Sequence, residues 1–357
     1  MDSLTQIILG AAVGEAVLGR KVGNKAPLWG AVGGTIPDLD VIIAKQFDPV
    51  TELIIHRGFS HSLAFCLILA PILGWLVFKL YKGRHATSRE WTMLFFWSLF
   101  THPLLDIFTT WGTQLFWPLE HRFAFKSIFV IDPLYTVPFV TFLILAMRQP
   151  KTSEKRRRLN WWGLRISTAY LFISLFNQSI AVCKFESEFS KQNIDVERFE
   201  VRATPFNTVM WACNAETEDA YHIGYYSFFD AADRSVDFFS FPKNHDKLEG
   251  LRTKSPDLDK LLQITNGYYS VRENGDNKWI IHDLRFGQVS GFFDGKGEFV
   301  FSYLIELTAD GKVKIDFKQR ELKEGRELLV QLWSRLLGDE EPPVVVNVGG
   351  NYESTRL

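Results

Sequence analysis

The stretch His56-Arg57-Gly58-Phe59-Ser60-His61-Ser62 stands directly before an apolar run from Leu63 to Leu80. Two other polar motifs also lie at the edges of apolar segments, Pro37-Asp38-Leu39-Asp40 and Thr101-His102-Pro103-Leu104-Leu105-Asp106. Carboxylates and imidazoles are costly to place in hydrocarbon, so several of them beside apolar runs indicate a functional site. Asp oxygens and neutral His nitrogens are also ligands for zinc, manganese or iron. These motifs therefore predict a metal site embedded in a membrane domain.

Six apolar segments surround the motifs. Two of them, Leu4 to Leu18 and Pro27 to Ala44, are rich in Gly and Ala, which is typical of tightly packed or partly re-entrant helices. Four others are close to the roughly 20 residues that a bilayer core requires: Leu63 to Leu80, Trp91 to Phe108, Ile128 to Met147 and Trp161 to Val182. We therefore predict a polytopic α-helical membrane domain of about six helices, over residues 1–183.

Positive charge suggests how such a domain would be oriented. Basic residues follow the first, third and fifth segments, in the stretches 20–25, 79–89 and 148–158. The positive-inside rule makes these loops cytoplasmic. All the polar motifs, and everything after about residue 184, would then lie on the outer face of the membrane. The run Arg156-Arg157-Arg158 is interpreted as a topology and anionic-lipid signal, and Glu15 would either reach the cluster or pair with a basic residue.

The C-terminal half has a different pattern. Aromatic and β-branched residues alternate in several stretches broken by Asn-Gly and Asp-Gly turns, which is typical of antiparallel hairpins. The predicted strand regions are Tyr221 to Asp230, Ser235 to Phe241, Gly267 to Glu273, Lys278 to Gln288 and Glu298 to Gln319. We predict a mostly β extracytoplasmic domain over 184–341. It would begin with an exposed stretch around 184–195, carry a helix from Glu321 to Leu337, and be followed by a loose tail over 342–357.

Charge and cysteine content narrow the function. The formal net charge of the 357-residue chain is −1, which argues against a nucleic-acid partner because such proteins normally carry a basic face. A hydrophobic content of 46% suits a protein that is partly in the membrane. The three cysteines have no zinc-ligand spacing, and a Cys183–Cys213 disulfide would require an oxidising compartment outside the cytoplasm.

The motifs resemble a known family. The start Met1-Asp2-Ser3-Leu4-Thr5-Gln6, the three motifs above and Ile131-Asp132-Pro133 are similar to those of the predicted inner-membrane, metal-dependent hydrolases of bacteria. The resemblance covers roughly residues 1–140, and it implies hydrolysis with a divalent metal, zinc favoured and manganese or iron as alternatives. Many relatives carry His where this chain has Gln6, and an amide ligates metal weakly.

A looser resemblance, to the multi-zinc sites of bacterial phospholipase C and single-strand nucleases, implies roles for individual residues. Such sites hold a phosphodiester between metal ions and lower the pKa of a bound water. By this resemblance the metal ligands are Asp38, Asp40, His56, His61, His102 and Asp106. Asp2 and Asp132 would be further ligands or a general base, and Arg57 would hold a phosphate or balance developing charge. Membrane lipids are then the expected partners, with a lipid or phosphoester substrate.

Other interpretations stay open at this stage. Asp38 and Asp40 would cap a turn, His56 and His61 would bond backbone carbonyls, and His102 would pair with Asp106 in a purely structural network. A metal- or proton-coupled transporter would also use intramembrane Asp and His, but near the bilayer midplane rather than at segment ends. A non-catalytic protein stapled by a metal would have a closed coordination shell.

Overall fold

A computed structural model describes residues 1–318, 325–343 and 355–356. The chain divides into two compact units. The first comprises Met1–Phe176 with Pro205–Asn207, and the second comprises Asn177–Thr204 and Thr208–Leu357.

The first unit is helical. Its α-helices are α1 Ser3–Val22, α2 Lys25–Thr35, α3 Asp40–Ala44, α4 Pro49–Ile55, α5 Leu63–Leu80, α6 Ser88–Asp106, α7 Pro133–Met147 and the first part of α8 Glu154–Gln192. Two short 3₁₀ turns interrupt them, at Ile36–Leu39 and Phe59–His61. Helix α6 is central to the packing, because Trp91, Leu94, Phe95 and Leu99 are all fully buried.

Glycines bring α1 and α2 into backbone contact. A Cβ atom placed on Gly10 would lie 2.3 Å from the carbonyl oxygen of Gly30, and one on Gly14 would lie 2.5 Å from the carbonyl oxygen of Ala26. These pairs show that the two helices run in opposite directions with almost nothing between their backbones. Small residues that allow such close approach are typical of helix contacts in membrane proteins. The Gly-rich character of the first two apolar segments therefore has a packing cause.

The prediction of six membrane-spanning helices is wrong. Among the described residues, two helices are long and apolar enough to cross a membrane, α5 and α8. Helix α2 has 11 residues, which at 1.5 Å per residue is about 16 Å, far short of a bilayer core of about 30 Å. Helix α7 is apolar but has only 15 residues. Helices α1 and α6 bury much of their surface, including Glu15, His102 and Asp106, inside the unit.

The end of α8 also differs from the expectation. The apolar segment was predicted to end at Val182 and to be followed by an exposed stretch, but the helix continues to Gln192. Of the charged residues that suggested exposure, Glu186, Lys191 and Asp195 are exposed as expected, and Glu188 departs most from the expectation. Glu188 is buried and accepts hydrogen bonds from Lys184 and Lys191, each at 2.9 Å.

One buried ion pair joins α1 to α8. Glu15 accepts two hydrogen bonds of 2.6 Å from the guanidinium of Arg156. Of the two alternatives for Glu15, pairing with a basic residue is therefore the one observed. Arg156 is buried in this pair, so the lipid interpretation of the basic run does not apply to it, whereas Arg157 and Arg158 are exposed.

The second unit contains two antiparallel sheets, which confirms the prediction of a mostly β region. Strands β1 Arg198–Ala203, β2 Met210–Glu216, β3 Ala220–Ser227, β4 Phe238–Pro242 and β9 Thr355–Arg356 form one sheet in the order β1-β2-β3-β4-β9. Strands β5 Tyr269–Glu273, β6 Lys278–Gln288, β7 Phe299–Leu307 and β8 Val313–Phe317 form the other in sequence order. Helices α9 Glu249–Arg252 and α10 Pro256–Ile264 and a 3₁₀ turn at His245–Leu248 lie between β4 and β5, and α11 spans Gly325–Leu336.

Three remaining predictions concern the strands, the C-terminal end of the chain and the disulfide. Strands β1 and β2 were not predicted. The first part of the predicted C-terminal helix, residues 321–324, and most of the predicted tail lie outside the described residues. Cys183 is exposed and Cys213 is buried, and both are free thiols, so the disulfide is not formed.

We expect Gly30→Ala to destabilise the first unit. The new Cβ would lie 2.2 Å from the carbonyl oxygen of Gly10, and α1 and α2 would have to separate. Overpacking of this kind costs about 1–3 kcal/mol. Thermal unfolding of the detergent-purified protein measures the effect. Gly250→Ala is the control because a Cβ there meets nothing within 4 Å, and equal melting temperatures for the two variants would contradict the close helix contact.

Candidate metal centre

Four side chains from three separate parts of the first unit converge on one point. Asp38 lies in the 3₁₀ turn after α2, His61 in the 3₁₀ turn before α5, and His102 and Asp106 in the last turns of α6. One ligand atom from each lies within 4.8 Å of every other. His102 and Asp106 share a helix face because they are four residues apart.

Local structure fixes where each of these side chains points. Pro37 is at the start of the 3₁₀ turn that ends α2 and carries Asp38. The Ser62 hydroxyl accepts a hydrogen bond from the backbone N–H of Phe65 and so caps α5, which places His61 just outside the helix. His102 Nδ1 lies 2.6 Å from the carbonyl oxygen of Gly34. A carbonyl oxygen can only accept a hydrogen bond, so Nδ1 carries the ring proton. In the neutral ring, Nε2 therefore carries a free lone pair.

His61 is held in the same tautomer. The Ser60 hydroxyl donates to Asp40 Oδ2 at 2.7 Å, which leaves the Ser60 oxygen to accept from Nδ1 of His61 at 2.9 Å. A hydroxyl has one proton to donate, so Nδ1 of His61 must supply the other. The Nε2 atom of His61 therefore also carries a free lone pair when the ring is neutral. A histidine oriented by a hydrogen bond from its second nitrogen is typical of metal ligands.

The lone pairs of the two rings face each other. The two Nε2 atoms are 3.1 Å apart, and Asp38 Oδ1 lies 3.3 Å from that of His102 and 3.4 Å from that of His61. Asp106 Oδ2 is 3.5 Å from His61 Nε2 and is buried without a hydrogen-bond partner. Four acceptors at these distances repel one another unless a positive charge lies between them. Two His nitrogens and two carboxylates fit a divalent transition metal, and a proton on one ring is the alternative.

The pKa shifts of Asp38 and His61 agree with a positive charge among the four acceptors. Burial by itself would raise the pKa of the Asp38 carboxyl, but hydrogen bonds with His102 and His61 lower the pKa below its usual value. Burial would lower the pKa of His61, but its hydrogen bonds with Asp38 and Asp40 raise the pKa above its usual value. Both directions mean that the carboxylates attract a positive charge to the imidazole nitrogens.

Arg57 lies beside the cluster in a left-handed backbone conformation, with φ of 59°. That conformation costs an ordinary residue about 1–2 kcal/mol. Hydrogen bonds hold it there, because its backbone N–H donates to Asp40 Oδ2 at 3.0 Å and its Nη1 donates to Thr109 Oγ1 at 3.0 Å. Its Nε is 3.4 Å from Asp106 Oδ2. The guanidinium is buried and adds positive charge next to the four acceptors.

Asp40 and His56, which the sequence suggested as ligands, stand one layer further out. Asp40 Oδ1 is 3.1 Å from His56 Nδ1, and Asp40 Oδ2 accepts from Ser60 and from the backbone of Arg57. Asp40 therefore ties together the loop that carries His61. The structure brings Asp38, His61, His102 and Asp106 into one cluster and does not bring Asp40 and His56 into it.

Asp2 and Asp132 are at helix starts. Asp2 caps α1, accepting from the backbone N–H of Thr5 at 3.1 Å. Asp132 caps α7 and also accepts from the Tyr170 hydroxyl at 2.9 Å. Neither contacts the cluster in the described part of the chain. Gln6 does reach its edge, since its amide donates to Asp106 Oδ1 at 3.0 Å, and the amino group of Met1 pairs with the same oxygen.

Sequence reasoning missed several supporting residues. Ser60 lies inside a quoted motif, and its position next to His61 was a usable signal. Thr109 and the carbonyl of Gly34 carried no such signal, because their roles depend on which helices meet.

Comparison with known proteins places the helical unit in a family. A family model described as YdjM inner membrane protein matches residues 1–181. The chain is similar to the uncharacterized protein YfhP of Bacillus subtilis strain 168, with 28% identity over 144 residues, 37% of this chain and 42% of that protein. It is also similar to the inner membrane protein YbcI of Escherichia coli K12, with 33% identity over 131 residues, 34% of this chain and 74% of that protein. No solved structure gives a significant match.

We expect Asp40→Ala to loosen residues 56–62 without unfolding the unit. The variant removes the acceptor for the Arg57 backbone N–H and for Ser60, which together contribute about 1–3 kcal/mol. Hydrogen exchange should therefore become faster at Arg57. Asp48→Ala is a matched control, because Asp48 also accepts two backbone N–H groups, those of Val50 and Thr51 in α4. Unchanged exchange at Arg57 in Asp40→Ala would contradict this role.

Proposed function

The chain belongs to the YdjM inner membrane protein family, and on that premise we propose that it is a membrane-bound, metal-dependent hydrolase. The substrate class that we propose is a phosphoester or a lipid-linked molecule. The observation that carries the proposal is the convergence of Asp38, His61, His102 and Asp106 with their acceptor atoms facing one another. Structural networks of histidine and aspartate normally pair donors with acceptors, and this arrangement does not.

The four residues of the cluster would hold the metal, with zinc favoured and manganese or iron as alternatives. When bound, such an ion lowers the pKa of a coordinated water and polarises a phosphoryl oxygen. Gly34 and Ser60 keep His102 and His61 in the tautomer that presents Nε2. The side chains of His61, His102 and Asp106 are fully buried, so within the described part of the chain Asp38 is the member of the cluster that solvent touches. A low-dielectric surrounding of this kind strengthens every electrostatic interaction within it.

Arg57 would act on the substrate rather than on the metal. Its guanidinium lies next to Asp106 Oδ2 and has one hydrogen bond, to Thr109. A planar guanidinium suits a phosphate group and stabilises negative charge that develops during hydrolysis. Asp40 orients His61 from behind, and Asp2 and Asp132 keep α1 and α7 in place through their helix caps.

Metal analysis and a hydrolysis assay on the same samples test the proposal. Elemental mass spectrometry should find stoichiometric zinc, manganese or iron in the detergent-purified wild type, and almost none in Asp38→Ala/His102→Ala, because two of four ligands are gone. Hydrolysis of a phosphodiester should fall by roughly 10³-fold or more in the same variant. The matched control is His85→Ala/Asp257→Ala, which removes one exposed residue of each type.

Each outcome has a distinct meaning. Metal at wild-type amounts in Asp38→Ala/His102→Ala would overturn the site itself. Stoichiometric metal without hydrolysis of any phosphoester would favour a structural metal and overturn the enzymatic proposal.

We also propose that the second unit lies on the extracytoplasmic side of the membrane. The support is the exposed basic group Lys151, Lys155, Arg157 and Arg158, directly before the apolar part of α8, since basic residues remain on the cytoplasmic side of a span. Alkaline phosphatase fused after residue 318 should be active, and a fluorescent protein that folds only in the cytoplasm should be dark there. The reverse pattern would contradict this orientation.

A further inference from the structure

Access to the cluster is from one side. The side chain of Asp38 is 17% exposed, whereas those of His61, His102 and Asp106 have no exposed surface. In the described residues, a molecule in contact with solvent therefore meets the cluster at Asp38, in the 3₁₀ turn at Ile36–Leu39.

Large apolar side chains surround this approach. Leu39, Ile42 and Ile43 follow Asp38 directly and are 46%, 64% and 59% exposed. On the other side, Phe59 is 42% exposed and its ring lies 4.9 Å from that of Trp117, which is 43% exposed. The two sides meet where Ser60 donates its hydrogen bond to Asp40. We call the five side chains Leu39, Ile42, Ile43, Phe59 and Trp117 the apolar rim.

Such a surface is costly in water. Apolar area left in water costs about 25 cal/mol per Å², and soluble proteins rarely keep several large apolar side chains together on their surface. The partly exposed carboxylate of Asp38 is directly followed in the chain by Leu39, so the apolar surface adjoins the exposed member of the cluster. The rim therefore needs an apolar occupant.

The bilayer itself is the occupant that the chain indicates. Helix α5, one of the two helices able to cross a membrane, begins at Leu63, two residues after His61. Phe59 is four residues from that start, a distance of at most about 14 Å. The apolar surface also continues along α5, where Leu67, Ile68 and Ile72 are exposed. Trp at the boundary of a span is typical of side chains at the membrane interface.

We infer that the apolar rim lies in the surface of the bilayer and takes the hydrocarbon part of a membrane-resident substrate, with the polar bond to be cleaved next to Asp38. The position of the rim in the bilayer is supported by the exposure of its five side chains and by the start of α5 close to His61. The substrate half of the inference rests on the proposed hydrolase function, and it restricts that function to amphiphiles that stay in the membrane while they react. A water-soluble phosphoester would then be a poor substrate, because it gains nothing from the rim.

Fluorescence quenching tests the position of the rim. The protein is reconstituted into phosphatidylcholine vesicles with brominated acyl chains, and the emission lost in Trp117→Phe is taken as the signal of Trp117. We expect this emission to be quenched strongly by the bromines, relative to vesicles of unbrominated lipid, and little by aqueous iodide. Quenching by iodide and not by bromine would overturn the inference. Ile42→Trp in the Trp117→Phe background gives a second, independent probe on the other side of the rim, with the same expectation.

Substrate length tests the second half. The zinc-loaded full chain is assayed with a long-chain phospholipid in vesicles and with a short-chain, water-soluble phosphoester. In Ile42→Asn/Ile43→Asn the ratio of long-chain to short-chain turnover should fall several-fold. The control is Leu337→Asn, which changes an exposed leucine directly after α11 and should leave the ratio unchanged. An unchanged ratio in the rim variant would overturn the substrate assignment. If the wild type hydrolyses neither substrate, the proposed function fails, and the quenching result alone then decides the position of the rim.

Discussion

The mutual repulsion of four closely spaced acceptors, three of them on buried side chains, is the constraint on which the first unit depends. Nε2 of His61, Nε2 of His102, Asp38 Oδ1 and Asp106 Oδ2 lie within a few ångströms of one another. Taking such groups out of water is unfavourable unless opposite charge is supplied. Arg57 supplies some of that charge beside Asp106, but none of its hydrogen bonds reaches the imidazole nitrogens. A positive charge among these acceptors would therefore stabilise the helical unit whatever its source.

The close contact of α1 and α2 is what lets the cluster form. The carbonyl of Gly34 accepts a hydrogen bond from Nδ1 of His102. A Cβ on Gly34 would lie 2.5 Å from the backbone oxygen of Gln6 in α1. Gly33 approaches α6 in the same way, with Ser98 Cβ only 2.9 Å from where its own Cβ would stand. A larger residue at Gly33 would push α2 away from α6, and one at Gly34 would push α2 away from α1. Either shift would displace the Gly34 carbonyl that sets the tautomer of His102. The packing of the helices therefore also determines which nitrogen of His102 faces the cluster.

Sequence patterns indicated which residues form the cluster better than they indicated the helices around it. Motif composition included Asp38, His61, His102 and Asp106 among six candidate ligands, because His and Asp beside apolar runs are costly without a functional role. The patterns could not separate Asp38 from Asp40 or His61 from His56, since which of two nearby side chains points inward depends on the 3₁₀ turns at Ile36–Leu39 and Phe59–His61. The span count failed for a related reason. Gly- and Ala-rich apolar segments such as α1 look alike whether lipid or other helices cover them. Strands β1 and β2 were missed although β1 alternates charged and apolar residues, because neither strand is followed by the Asn-Gly or Asp-Gly turn that marked the predicted hairpins.

The position of His61 connects the site to the membrane. Ser62 caps α5 through the N–H of Phe65, so the helix cannot begin earlier without breaking that cap and drawing His61 into its first turn. Arg57, with its left-handed backbone, reverses the chain just before this point and is held by Asp40. A ligand to the cluster, the start of an apolar helix and the exposed Phe59 are thus confined to seven residues, 57–63. Movement of α5 in a bilayer would be transmitted directly to His61, because no flexible linker separates the two. The proposed membrane-embedded approach to the cluster agrees with this short connection, because only Ser62 separates His61 from the start of α5.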